Sequence, residues 1–315
     1  MIVYDIALRV PFRGLTRRQG VLFEGPAGWA EWSPFPEYGD EEAGSWLAAA
    51  VEAAEQGSPE PIRQRVPVNG IVPVIPPGLV AARVKESGCT TIKVKVAAPG
   101  ESLDDDIARV AAVKQALPEG RIRIDANGGW DLATAETALR ELAPLGLEYA
   151  EQPCRDVAEL AELRRRLDGM VAIAADESIR RADDPLRVRD LGAADVVVLK
   201  QQPLGGARAC LRLVEQLGLP AVISSAVETS VGLHAGLRLA AALPELPFAC
   251  GLETANLLAG DVVSQPLTPV AGELLLHPLI PDPTLLAEHQ ADEATAAWWQ
   301  KRLRRVAAAQ GVSLP

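Results

Sequence analysis

The sequence predicts an α/β protein: a (β/α)₈-type parallel barrel with an α+β cap built from the N-terminal segment and the C-terminal tail. Three observations carry this. From about residue 66, short β-branched runs alternate with helical stretches rich in Ala, Leu and Arg. Eight such runs occur, with seven intervening segments long enough for crossover helices. The opening 65 residues follow a different pattern of strand, hairpin and helix. Strands alternating with helices imply a parallel sheet, and eight repeats suit a closed barrel. An open, doubly wound sheet competes, but no G-x-G-x-x-G and no G-x-x-x-x-G-K-[ST] follows any strand.

In order, residues 2–10 alternate in polarity and read as a strand. Residues 20–33 read as a hairpin turning at Gly25-Pro26-Ala27-Gly28. Residues 40–56, rich in Ala and Glu, carry helical spacing. The barrel runs are Val68–Val72, Thr91–Val96, Arg121–Asp125, Leu147–Glu151, Val171–Asp176, Asp195–Lys200, Ala221–Ser225 and Phe248–Leu252. A tail helix over 284–308 carries Trp298 and Trp299 and is expected to pack back on the opening segment. The division is therefore cap 1–65, barrel 66–260 and tail 261–315.

Of the 315 residues 48% are hydrophobic, enough to bury a large core without staples. A net charge of −11 and a pI near 4.9 oppose a nucleic-acid-binding surface. The one dense basic run, Lys301, Arg302, Arg304 and Arg305, reads as a solvated helix face. Cys89, Cys154, Cys210 and Cys250 show no C-x-x-C spacing and are expected as reduced, mostly buried thiols. No signal-peptide pattern opens the chain and no run of 18 apolar residues occurs, so a cytoplasmic enzyme without membrane contact is expected. Oligomeric state stays open, and a monomer is compatible.

Buried parallel strands are ordinarily apolar throughout. Here five consecutive strands end in charge, about every 25 residues: Lys93-Val94-Lys95, Asp125, Glu151, Asp176 and Lys200. Barrel active sites lie at strand C-termini. Asp125, Glu151 and Asp176, on neighbouring strands, should converge and would repel one another without a cation. Hard oxygen ligands without Cys or His point to Mg²⁺ or Mn²⁺. Lys95 and Lys200 would face each other from opposite walls. Lys93 shares a face with Lys95, and its field, with burial, should lower an amine pKa from its reference of ~10.4 towards working pH. Such an amine is a general base for proton abstraction beside a carboxylate, with a metal stabilising the charge that develops.

The series Lys93-x-Lys95, Asp125-Ala126-Asn127, Glu151-Gln152-Pro153, Asp176-Glu177-Ser178 and Lys200 resembles the muconate-lactonising-enzyme-like branch of the enolase superfamily, over the whole chain. The resemblance implies a modified TIM barrel with Asp125, Glu151 and Asp176 as metal ligands. It implies Lys95 as the acid/base lysine, Lys93 as its neighbour and Lys200 as the opposing lysine. Arg123, two residues before the metal Asp, the serine-rich Ser224-Ser225-Ala226-Val227-Glu228-Thr229-Ser230 loop and Gly251-Leu252-Glu253-Thr254 resemble the o-succinylbenzoate synthase family. That implies Arg123, Asn127, Ser224, Ser225, Gly251 and Leu252 as substrate-binding residues, with backbone N–H groups of the serine-rich loop holding a succinyl carboxylate.

The implied reaction is metal-assisted syn dehydration, through an enediolate, of 2-succinyl-6-hydroxy-2,4-cyclohexadiene-1-carboxylate to o-succinylbenzoate in menaquinone biosynthesis. An N-succinylamino-acid racemase or related epimerase would use the same two lysines. A catalytically inactive binding barrel is the remote alternative. A cap loop with Arg13, Arg17 and Arg18 falls in 11–20, where no arginine is assigned a role. His234, His277 and His289 read as structural, and Gly205-Gly206 as a turn and helix start.

Overall fold

The structure, a computed structural model, describes residues 1–12, 14–181 and 184–314. The chain opens with an antiparallel sheet of β1 (Ile2–Phe12), β2 (Leu15–Gly25) and β3 (Gly28–Trp32), followed by α1 (Asp40–Glu55). The β2–β3 turn falls at Gly25–Gly28, where Gly28 takes φ +128°, open to glycine and strained for other residues. β4 (Arg65–Pro67) leads out of the cap.

The barrel alternates as predicted. Its first half contains β5 (Gly70–Val72), α2 (Pro77–Ser87), β6 (Thr91–Lys95), α3 (Leu103–Ala116), β7 (Arg121–Asp125), α4 (Leu132–Leu142) and β8 (Leu147–Glu151). Its second half contains α5 (Val157–Leu167), β9 (Ile173–Ala175), α6 (Glu177–Arg180), α7 (Arg187–Asp190), β10 (Val196–Lys200), α8 (Ala207–Leu217), β11 (Ala221–Ser224) and α9 (Ser230–Ala242). β5 to β11 form one seven-stranded parallel sheet in sequential order. The eighth run is not a full strand. Residues around Cys250 make single parallel bridges, Val68 to Cys250 and Ser224 to Gly251, with Cys250 N–H to Pro67 O at 2.7 Å and Gly251 N–H to Ile223 O at 2.8 Å. These bonds join the two edges of the sheet.

Alternation along the strands sorts the side chains. Ile92, Val94, Ile122, Ile124, Val197, Leu199 and Ile223 face the helices and are essentially fully buried there. Each contributes about 1.5–3 kcal/mol by leaving water. The opposite set points inward. Tyr149, Ala174, Val196, Val198 and Val222 make a small apolar plug low in the barrel, and the charged residues stand above it at the strand ends.

The tail adds β12 (Glu273–Leu275), which pairs antiparallel with β4, a contact the sequence pattern does not reveal. The predicted helix over 284–308 is in fact two, α10 (Pro283–Glu288) and α11 (Glu293–Gln310). Asp292 stops and restarts the chain, its side chain accepting from Thr295 N–H at 2.7 Å as the N-cap of α11. α11 closes the cap core: Trp299 is fully buried, edge-on to Trp32 at 5.6 Å. The basic run is only partly a solvated face. Arg302 is 2% exposed. Its guanidinium lies against Trp32, Trp298 and Trp299 and donates to the Phe35 and Tyr38 carbonyls at 3.2 and 2.7 Å. All four cysteines are buried free thiols. Among the described residues no helix is long and apolar enough to cross a membrane.

Candidate active site

The register puts the predicted residues side by side. Lys95 is opposite Asp125 on β6 and β7, and Asp125 is opposite Glu151 on β7 and β8. Glu151 is opposite Ala174 on β9, two residues short of Asp176, which lies just past its strand. Lys200 ends β10 opposite Ser224. Lys93, Lys95, Asp125, Asn127, Lys200, Ser224 and Ser225 line one cavity at this end of the barrel. Phe12, Phe35 and Trp46 of the cap close it, and Ile71, Pro203, Ala226, Val227, Thr254 and Arg180 complete the wall. Glu151 and Asp176 are 1% and 0% exposed and lie behind that lining.

The two lysines of β6 have different partners. Lys93 Nζ sits 2.9 and 3.0 Å from the two Glu151 oxygens and 3.4 Å from Asp125 Oδ2. Burial works against its charge, yet Glu151 and Asp125 hold its pKa above the ordinary lysine value. The expected lowering therefore does not apply to Lys93, because two carboxylates outweigh desolvation. Lys95 instead donates to Asn127 Oδ1. Asn127 takes φ +45° and gives its own N–H to Asp125 Oδ1 at 3.0 Å. Across the cavity Lys200 Nζ meets Asp176 Oδ2 at 2.5 Å.

Burial pushes Glu151 up to about 7; Lys93 pulls it down, and Asp125 and Asp176 push it further up. Desolvation likewise raises Asp125 and Asp176, but Lys93 and Lys95 hold the first below its usual range, and Arg180 and Lys200 the second. The three carboxylates thus feel one another, the electrostatic signature of a group needing shared positive charge. Their donor chemistry, hard oxygen on three adjacent strand ends, fits a divalent ion. As placed, ammonium groups neutralise them, and among the described residues no three His, Cys, Asp or Glu side chains stand ready as a metal cage.

Several site residues carried no sequence-level role. Gln152, at φ +40°, accepts from Asp176 N–H at 2.9 Å and Ser178 N–H at 3.1 Å, and donates to Ser178 Oγ at 2.7 Å. It ties the ends of β8 and β9 together. Arg180 donates to Asp176 Oδ1 at 2.9 Å and lines the cavity. Gln152 belongs to a motif visible in the sequence and Arg180 lies two residues past one, but only their contacts show their use. The cap aromatics Phe35 and Trp46 carried no signal beyond hydrophobicity.

The other expected substrate-binding groups lie behind the cavity lining or are already bonded. Arg123 is fully buried one layer lower, its guanidinium 4.6 Å from the Tyr149 ring, bonded to Glu148 Oε2 at 2.5 Å and Asn69 Oδ1 at 3.0 Å. Two residues of strand separate it from Asp125, roughly 6.6 Å of rise, and it does not line the cavity. Gly251 and Leu252 back the wall instead. A Cβ at Gly251 would lie 2.6 Å from Ser224 Oγ, and Leu252 packs among the helix-facing residues. The N–H groups expected to hold a carboxylate are engaged too: Ser225 N–H donates to Gly251 O at 3.1 Å and Ala226 N–H to Glu228 Oε2 at 2.7 Å. Arg17 pairs with Asp5 at 2.6 Å, Arg18 is buried, and Arg13 lies outside the described residues.

Comparison with known proteins matches residues 79–281 to the Enolase C-terminal domain-like family and residues 3–54 to the Enolase N-terminal domain-like family. The o-succinylbenzoate synthase of Thermobifida fusca (strain YX) is 58% identical over 97% of this chain and 95% of its own length. That of Mycolicibacterium smegmatis is 49% identical over 96% and 93%. Muconate lactonizing enzyme from Pseudomonas fluorescens, complexed with muconolactone, superposes with a TM-score of 0.80 at 22% identity, covering 92% of this chain and 97% of that one. N-succinyl Arg/Lys racemase from Bacillus cereus gives 0.77 at 20% identity, over 92% and 97%. Both structures speak for the fold alone.

Proposed function

This chain belongs to the enolase superfamily and, within it, to the o-succinylbenzoate synthases, and on that premise we propose how its own residues carry the reaction. The family's activity is the dehydration of 2-succinyl-6-hydroxy-2,4-cyclohexadiene-1-carboxylate to o-succinylbenzoate, a carbon–oxygen lyase step of menaquinone biosynthesis. The observation that carries the assignment of roles is that Lys95 and Lys200 line one cavity together with Asp125.

Lys95 takes the proton from the ring carbon bearing the carboxylate. Asn127, hydrogen-bonded to Lys95, fixes where that amine points. The C–H electron pair first delocalises into the carboxylate as an enediolate, then collapses to the new ring double bond as the C–O bond breaks. The departing hydroxide takes the same proton back from Lys95 and leaves as water, so one lysine serves both halves of a syn elimination. Lys200, paired with Asp176, faces the opposite side of the ring and stabilises negative charge there. Asp125, Glu151 and Asp176 would hold a divalent cation, Mg²⁺ or Mn²⁺, which would supply positive charge beside the substrate carboxylate. Ser224 and Ser225 supply hydroxyls towards the succinyl arm. Phe12, Phe35 and Trp46 exclude water, which strengthens every charge interaction inside. The reduced, buried thiols accord with a cytoplasmic enzyme.

The same pair of lysines would serve a racemase, so the deciding experiment compares substrates. Purified enzyme with Mg²⁺ should show a far higher kcat/KM for the cyclohexadiene than for any N-succinyl amino acid or dipeptide. The reverse order would discard the dehydratase reading while leaving the two lysines in place. EDTA should remove all turnover, and added Mg²⁺ or Mn²⁺ should restore it.

A further inference from the structure

Arg18 has no part in the chemistry above, yet it is 1% exposed at the seam between cap and barrel. Its Nε donates to the Val227 carbonyl at 2.9 Å, and its Nη2 to Ser33 Oγ at 3.0 Å and to the Ser33 carbonyl. Its guanidinium lies over Phe35, 4.7 Å from the ring centroid. Val227, Ala226 and Phe35 are all cavity wall.

Val227 takes φ +63°. A β-branched residue enters the left-handed region only where its surroundings impose it. Two buried groups do the imposing. Arg18 holds the carbonyl of Val227 from the cap side. Glu228, 3% exposed, holds the N–H of Ala226 at 2.7 Å from the barrel side. Gln202 Nε2, two residues beyond Lys200, reaches Glu228 Oε1 at 3.5 Å. Glu31 completes the cluster, accepting from Tyr4 Oη at 2.7 Å, Thr229 N–H at 3.1 Å and Gly232 N–H at 3.2 Å. Buried polar groups so fully bonded specify one geometry.

We propose that Arg18 and Glu228 are positioning residues: they hold the Ala226–Val227 segment against its backbone preference and thereby shape the cavity wall that receives the substrate's succinyl arm. The inference rests on the dehydratase reading for the identity of that arm. A residue serving only to fasten the cap would lower stability and leave substrate affinity alone. A residue that holds a strained wall should act on KM, and its effect should vanish once the strain is removed. Glycine adopts φ +63° without steric cost, so Val227→Gly removes it.

The test is a double-mutant cycle in the full-length enzyme, with Mg²⁺, reading kcat and KM for dehydration and the thermal midpoint. Arg18→Met should raise KM at least tenfold and change kcat less than threefold. Introduced into the Val227→Gly background, the same substitution should raise KM less than threefold. An equal KM effect in both backgrounds, an unchanged KM with a lower midpoint, or a loss confined to kcat overturns the proposal. Should Arg18→Met not fold, Glu228 decides it. Glu228→Gln keeps an acceptor for Ala226 N–H and should raise KM less than Glu228→Leu; equal values overturn the proposal. If wild-type enzyme instead turns over an N-succinyl amino acid, the dehydratase reading falls, and the same cycle run on that substrate still decides the positioning roles.

Discussion

Lys93 and Lys95 stand two residues apart on one strand face but have different partners, and the partners set their roles. Lys93 is bound by Glu151 and Asp125 and stays charged, so it supplies field. Lys95 instead donates to the neutral Asn127 amide, which fixes its direction. Lys95→Ala should therefore lower kcat for dehydration by about 10²–10⁴-fold, the usual worth of a general base, with folding intact by circular dichroism. Near wild-type turnover would remove Lys95 from the mechanism. At Lys200 the charge matters more than the proton. Lys200→Arg keeps a cation too basic to exchange protons, so it should retain more dehydration than any racemisation the enzyme shows; equal losses of both would count against Lys200 as a purely electrostatic group. Asp125→Asn, Glu151→Gln and Asp176→Asn should each weaken Mn²⁺ binding at least tenfold by titration calorimetry. Wild-type affinity in any of them would remove that residue from the ligand set.

At the level of elements, the tail fastens the cap that roofs the cavity. α11 drives Trp299 between β2 and the cap core, where its Nε1 donates to Gln19 Oε1 at 3.1 Å. Trp299→Ala should cost about 3–5 kcal/mol, as large-to-small changes of buried aromatics do, read as a lower urea midpoint. A loss under ~1 kcal/mol would mean that the tail is not a structural part of the cap. The ends of β7, β8 and β9 show a second element-level device. Asn127 and Gln152 take left-handed turns just past β7 and β8, and the Gln152 side chain accepts from Asp176 N–H, tying β8 to the residue that follows β9.

Across the whole molecule, buried titratable groups outside the active site set how stability varies with pH. Burial, then Glu31, pushes Glu228 up to about 7 against the pull of Arg18. Its folded pKa is raised, so the folded state binds the proton more tightly. Its contribution is fully present below the unfolded value of ~4.3 and is lost as pH rises through about 7. His234 behaves oppositely: burial, then Arg238 and His277, pushes it down to about 4. Its contribution is present above the unfolded ~6.5 and is lost as pH falls towards 4. Urea unfolding at fixed pH should therefore show Glu228→Gln flattening the fall in stability between pH 5 and 8. His234→Gln should flatten the acid side between pH 6.5 and 4. Parallel curves for variant and wild type would show that these groups do not titrate with folding.

The sequence by itself determined the barrel rhythm, the cap and the five charged strand ends, because periodicity and a charge inside an apolar run are local signals. Lys93, Lys95, Asp125 and Lys200 could be placed at one cavity from the two-residue period and the sequential order of parallel strands alone. Only the tertiary structure decided what lay at other depths and across the seam. Arg123 obeys the same period as Asp125, yet a layer of Tyr149 and Phe248 holds it beneath the site. The eighth strand shrank to single bridges because both neighbouring edges had to be met within a few residues. Arg302 reads as a surface charge in one dimension and Arg18 as a cap-loop residue without a role; each is buried, with backbone carbonyls from other segments converging on it. Convergence of segments more than 200 residues apart leaves no periodic trace, so the wall at Val227 and its cap-side restraint became visible only in the folded chain.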